Sequence, residues 1–321
     1  MRTKVRPPRV VFVGSNNLLG EYIKKKHLNA AAEAGILAAP AMAQTSVYGI
    51  MDLAVRSANP DAGKSTTTMV SGSFFTSRLG FRSVEDLGGG MKAGFVLEGK
   101  IDSDTGATTL GSRESSVYVS GGFGEIRLGR TDTSNSEGID TLAHFGNIGN
   151  FGLNGAGEYT GDQANTIKYT SPAFSGITLQ VGQTLGDELA GGEDLNSVSV
   201  AYAAGPFSVG VGYDDVGSDN YTVFGARYNA GKFAVGITSG KRDAATDIEV
   251  MGLSARVDLG AGLAAHAAYK TTETGTAEVK VTNLGLSKAL SKRTTLLGMY
   301  QDTDKGSAAG SFFQAGIVHT F

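Results

Sequence analysis

The chain has 321 residues, of which 18% are charged and 40% hydrophobic, and its net charge is -3. Lys and Arg (28) are outnumbered by Asp and Glu (31), so the electrostatic footprint of a nucleic-acid binder is missing. The absence of Cys excludes disulfides, thiolate metal sites and Cys nucleophiles, and 47 Gly without a G-X-Y period exclude collagen. The first element in chain order is an address. Lys24, Lys25 and Lys26 precede an apolar segment at residues 30–43, and Ala41-Met42-Ala43 offers the small-x-small pattern of a signal-peptidase site. Residues 1–43 are therefore expected to be a signal peptide, cleaved to leave Gln44 first. Glu33 interrupts the apolar segment, and the residues before Lys24 are unusual in a signal; a true translation start downstream of Met1 would account for them.

From residue 44 to the end the pattern has period two. Val47, Gly49, Met51, Leu53 and Val55 share one face of the first strand. Phe75, Ser77, Leu79 and Phe81 share a face of the next, with Arg78, Gly80 and Arg82 on the other. Ala93, Phe95 and Leu97 oppose Gly94, Val96 and Glu98, and Phe233, Val235 and Ile237 oppose Lys232 and Gly236. Met251, Leu253, Ala255 and Val257 oppose Gly252, Ser254 and Arg256, and Leu263, Ala265, Ala267 and Tyr269 oppose His266 and Lys270. The segments are about 8–12 residues long, as a tilted strand needs to cross a bilayer. Seven short connections alternate with eight longer polar ones, at 57–68, 103–112, 131–163, 186–194, 214–220, 241–247, 272–276 and 303–310. About 16 strands result. No stretch reads as a membrane-spanning helix, which needs ~20 mostly apolar residues. In a soluble sandwich the inner faces are apolar. Here the second face carries Arg, Lys, Asp, Glu, Gly and Ser and needs water, so lipid must cover the apolar face. The expected fold is all-β: a transmembrane antiparallel β-barrel in a single domain, residues 44–321. The faces of residues 280–300 alternate too poorly to assign.

Specific runs carry a family resemblance: S-V-Y-G-I-M-D at 46–52, S-R-L-G-F-R-S-V-E-D-L-G-G-G-M-K-A-G-F at 77–95, and F-G-E-I-R-L-G-R at 123–130. N-T-I-K-Y-T-S-P-A-F-S-G at 165–176, L-S-K-R-T at 290–294 and the terminal G-I-V-H-T-F complete it. From about Ser46 to Phe321 the chain resembles the general trimeric porins of Gram-negative outer membranes, particularly their betaproteobacterial branch. The resemblance implies a homotrimer in outer-membrane lipid that passes small hydrophilic solutes and ions by passive diffusion. It also implies a third loop, here 131–163, folded into the lumen, and a C-terminal Phe321 read by the outer-membrane assembly machinery. The composition of 131–163 suits that path. Gly138, Gly146, Gly149, Gly152, Gly155 and Gly157 permit tight turns, and Ile139, Leu142, Phe145, Ile148, Phe151 and Leu153 can anchor the loop to the wall.

A barrel of this size leaves an aqueous lumen, whose narrowest ring and charges set selectivity. Arg78 and Arg82 share the polar face of one strand. Arg130 matches a family pore-lining arginine, although simple alternation puts it with Ile126 and Leu128, so the strand must end or bulge before it. Arg113 is a further candidate with the same parity problem. On the loop side the family presents two carboxylates; Asp140 fits the first, and His144 stands where the second belongs. Another wall arginine expected shortly before residue 165 is replaced by Asp162 and Gln163, so ion preference does not transfer directly. An outer-membrane hydrolase would need a Ser/His/Asp site, but only His144 and His266 could serve and no G-x-S-x-G accompanies them. A sugar-specific channel would show a run of aromatics along the pore, whereas Trp is absent and Tyr falls mostly on lipid faces. No enzymatic activity, cofactor, metal or nucleic-acid partner is expected.

Overall fold

The computed structural model describes residues 44–136, 161–186, 193–306 and 308–321. Residues 1–43, including the expected signal peptide, lie outside them. The described residues form one antiparallel sheet of strands β1 (Gln44–Pro60), β2 (Thr66–Ser71), β3 (Arg78–Gly88), β4 (Met91–Asp102), β5 (Ala107–Gly121), β6 (Gly124–Asp132), β7 (Asp162–Thr170), β8 (Ile177–Thr184) and β9 (Leu195–Ala204). These continue through β10 (Phe207–Val216), β11 (Asp219–Asn229), β12 (Phe233–Asp243), β13 (Ile248–Gly260), β14 (Leu263–Thr274), β15 (Ala277–Ala289), β16 (Thr294–Thr303) and β17 (Gly310–Thr320). Apart from β2 and β3, each strand pairs with its sequence neighbours, and β17 pairs back onto β1 from Ile50↔Thr320 to Pro60↔Gly310, which closes the barrel and removes its edges. β2 and β3 both pair with β1, as Leu53↔Ser71 and Ile50↔Arg78, so they occupy one position interrupted by a bend at 72–77. The closed wall therefore has sixteen strand positions.

The faces follow the alternation. Val47, Met51 and Val55 on β1, Phe233, Val235 and Ile237 on β12, and Met251, Leu253 and Val257 on β13 all point outward and are exposed. Their strand neighbours point into the lumen. Three expectations need correction. The longer connections are mostly shorter than the polar stretches suggested: β1 runs to Pro60, β10 to Val216, β12 to Asp243 and β14 to Thr274. Polar residues continue the ladder beyond the apolar band, sustained by backbone pairing and by ion pairs such as Arg242 Nη2 to Asp219 Oδ2 at 2.6 Å. Secondly, Phe75 and Ser77 do not share a strand face with Leu79 and Phe81; both lie in the bend, and Ser77 is buried against β1. Thirdly, the inner face is not polar throughout. Leu297 and Met299 on β16, Val318 on β17, Ala54 on β1 and Ala268 on β14 form a buried apolar cluster, into which the bend inserts Phe74. That explains why residues 280–300 resisted assignment: β16 is apolar on both faces, with Leu296 and Tyr300 outward and Leu297 and Met299 inward. Leu284 and Leu286 of β15 point outward.

Candidate pore constriction

On the inner wall of β1 and β3–β7 the alternating positions carry charge, and Tyr48, Arg78, Arg82, Glu98, Arg113, Glu114, Arg127, Asp132 and Asp162 line one cavity. Arg78 opens β3, opposite Ile50 and Lys100. Its Nε donates to the Thr76 carbonyl at 3.0 Å and its Nη1 lies 3.5 Å from Glu98 Oε1. Arg82 is inward on the same strand, its guanidinium 5.1 Å from the centre of the Tyr48 ring, and makes no ion pair among the described residues.

The parity problems of Arg113 and Arg130 are resolved by bulges, which insert extra residues into one strand of a pair and re-aim a side chain. The β4–β5 register passes from Glu98↔Glu114 to Lys100↔Thr109, so residues 110–113 oppose Gly99 alone. Arg113 thereby reaches Glu98, Nε to Oε1 at 2.7 Å, and Glu98 bridges two arginines. The β6–β7 register breaks between Gly129 and Thr131. Gly129 sits there at φ 128°, a backbone shape closed to side chains with a Cβ. Arg130 then donates from Nε to the Ser112 carbonyl at 2.7 Å and lies 3.9 Å from Asp162 Oδ2.

Arg127 belongs to this wall although it was not among the sequence candidates. It stands between Tyr118 and Lys168 in register, pairs with Glu114 and with Glu125 (2.7 Å), and covers the Tyr118 ring at 4.7 Å. Its signal was present: Glu125 and Arg127 alternate with Ile126 and Leu128. Glu98, Glu114 and Glu125 were likewise not singled out, yet they interleave with the arginines, so the wall is a mixed ladder of charge. Tyr48 and Tyr118 face this wall, against the outward trend of Tyr202, Tyr213, Tyr269 and Tyr300.

The described start of the third long connection runs along the inner wall. Lys168 Nζ, buried on β7, donates to the Asp132 carbonyl at 2.9 Å and to Thr131 Oγ1 at 3.2 Å. The Ser134 N–H donates to Ser197 Oγ on β9 at 3.1 Å. Asn135 lies over Gly212 of β10, where a Cβ would overlap its side-chain amide. Residues 131–136 thus cross the lumen side of β7 to β10. Asp140 and His144 lie outside the described residues.

The model of the Gram-negative porin family matches residues 30–308. Outer membrane porin protein 32 of Delftia acidovorans is 36% identical over 80% of this chain and 84% of its own length. An outer membrane porin protein of Bordetella pertussis is 28% identical over 61% of this chain and 60% of its own. Among solved structures, an anion-selective porin from Comamonas acidovorans superposes with a TM-score of 0.75 at 28% identity, covering 87% of this chain and all of that one. A loop-deletion variant of the Vibrio cholerae outer membrane protein OmpT, at 17% identity, shares the fold with a TM-score of 0.71 over 87% of this chain and 99% of its own. With a closed sixteen-position barrel, apolar outside and charged within, the chain belongs to the Gram-negative porin family and is an outer-membrane protein.

Proposed function

We propose that the protein is a general diffusion porin: a water-filled channel for small hydrophilic solutes and ions, constricted where the third long connection faces the charged wall of β3–β7. The observation that carries this reading is the path of residues 131–136, whose contacts with Ser197 and Gly212 lead the chain across the inner wall rather than out to the surface. Arg78, Arg82, Arg113, Arg127 and Arg130 line one side of the eyelet; Asp140 and His144 belong to the segment opposite. Counting those arginines and Lys168 against Glu98, Glu114, Glu125, Asp132 and Asp162 leaves one positive charge over within this cluster. That excess, in a confined and poorly screened lumen, favours anions weakly. The structurally similar Comamonas porin is described as anion-selective, which agrees in sign. Liposome swelling with a graded series of neutral sugars tests the reading. Entry falling smoothly with solute size supports it; transport of a single sugar with exclusion of smaller ones contradicts it.

The same reading includes a homotrimer, export with cleavage after Ala43, and recognition of Phe321 by the outer-membrane assembly machinery. Phe321 exchanges two backbone hydrogen bonds with Gly49, both at 3.1 Å, beside the β1–β17 seam. N-terminal sequencing of protein from outer membranes checks the cleavage site, and chemical crosslinking in detergent checks the trimer.

A further inference from the structure

The bend between β2 and β3 is fastened to the lumen side of β1 by one carboxylate. Asp52 is 0% exposed, and its Oδ2 accepts the N–H groups of Phe74 and Phe75, each at 2.6 Å. Its backbone completes the latch. The Asp52 N–H donates to Ser77 Oγ at 2.9 Å, Ser77 Oγ lies 3.1 Å from the Asp52 carbonyl, and that carbonyl accepts the Gly72 N–H at 3.0 Å. The Ser77 carbonyl accepts the Ile101 N–H of β4 at 2.9 Å. Phe74, 1% exposed, seals the other side by filling the apolar cluster of Ala54, Leu297, Met299 and Val318.

Arg78 follows Ser77 directly, and its Nε is held by the Thr76 carbonyl, inside the bend. The chain of contacts therefore runs from Asp52, through the bend, to the guanidinium beside Glu98. Preorganised charge acts only where its support is rigid. We propose that Asp52 is a positioning residue for the eyelet: it holds the bend at 72–77 inside the lumen and thereby fixes Arg78 on the ion path, which sets selectivity. This rests on the constriction reading above, in which Arg78 faces the passing ion.

The latch and a plain charge effect differ in sign. Removing a lumen carboxylate by itself favours anions. Releasing Arg78 favours cations, as deleting Arg78 does. The test is the reversal potential of purified channels in planar bilayers under a KCl gradient, for Arg78→Ala, Asp52→Ala, Asp52→Asn, Phe74→Ala and the Asp52→Ala/Arg78→Ala double variant, each first shown to migrate as a folded barrel. Arg78→Ala is expected to shift the potential toward cations, and Asp52→Ala and Phe74→Ala to shift it the same way by a comparable amount. Asp52→Asn, which keeps an acceptor oxygen for the two N–H groups and removes only the charge, does not move toward cations, and Asp52→Ala adds no further cation shift once Arg78 is gone. A shift toward anions in Asp52→Ala, equal shifts in Asp52→Asn and Asp52→Ala, or an additive double variant overturns the inference. If Asp52→Ala does not assemble, Phe74→Ala decides, and a wild-type potential there overturns it. An Arg78→Ala channel identical to wild type instead removes the constriction reading, and the inference falls with it.

Discussion

Glu98 offers the sharpest perturbation of the wall. It accepts from Arg113 at 2.7 Å and lies 3.5 Å from Arg78, so a single carboxylate offsets two guanidinium groups. Glu98→Gln keeps the shape and one acceptor oxygen and removes one negative charge. A unit charge about 5 Å from a monovalent ion acts on it with about 0.8 kcal/mol even at the dielectric constant of water, and with more in a confined lumen. The sign is opposite for anion and cation, so the anion-to-cation ratio rises by about 1.7 kcal/mol, somewhat more than tenfold. Screening leaves most of this effect, because the Debye length at 0.1 M salt is about 10 Å. In planar bilayers under a tenfold KCl gradient the reversal potential is expected to move toward the anion limit of about 59 mV. An unchanged potential in a folded Glu98→Gln channel refutes the claim that this cluster faces the ion path.

Leu253→Lys puts a charge on the lipid face beside Ile237 and Tyr269 and, near the bilayer midplane, is expected to cost roughly 2–4 kcal/mol, read as lost refolding yield into vesicles. Ser254→Lys, on the lumen side between Gly236 and Ala268, should refold far better; equal losses would refute the face assignment. Gly94 is unsuitable for that comparison, since a Cβ there would overlap the Ser83 carbonyl and the Tyr118 hydroxyl. Gly212→Val should displace Asn135 and lift the start of the third connection from the wall, altering single-channel conductance; conductance identical to wild type would mean that residues 131–136 do not narrow the pore. Unboiled protein in SDS should migrate differently from boiled protein, because a closed sheet has no edge to fray; co-migration together with a helical circular dichroism spectrum would contradict the barrel.

The lipid face was legible because one rule acts locally: every second residue of a membrane strand meets hydrocarbon. Val47, Met51, Val55 and Leu253 follow it, and strand count and closure come with it. What the sequence concealed depends on distant partners. The bend at 72–77 continues the alternation of a strand, and only Asp52, on the neighbouring strand, takes up its N–H groups and turns it inward. Phe74 in turn makes the inner face of β16 apolar, so Leu296 and Leu297 read alike although they face opposite sides. Arg78 and Arg82 were visible as the polar face of β3. Arg113 and Arg130 break parity because bulges re-aim them. The family likeness draws attention to Arg130, while Arg127, in plain alternation, carries no such mark. The carboxylates that moderate the wall sit on adjacent strands, and their pairing is set by register, which residue types alone do not specify.

The central claim is a water-filled channel whose charged cluster on β3–β7 carries a slight excess of positive charge. Single-channel recording of the purified wild-type protein in a planar bilayer, with a KCl gradient imposed, tests it most directly. Stepwise conductance that rises with salt, and a reversal potential displaced modestly toward the anion limit, is the predicted result. Folded, heat-modifiable protein that inserts without conducting, or a strongly cation-selective channel, would contradict it.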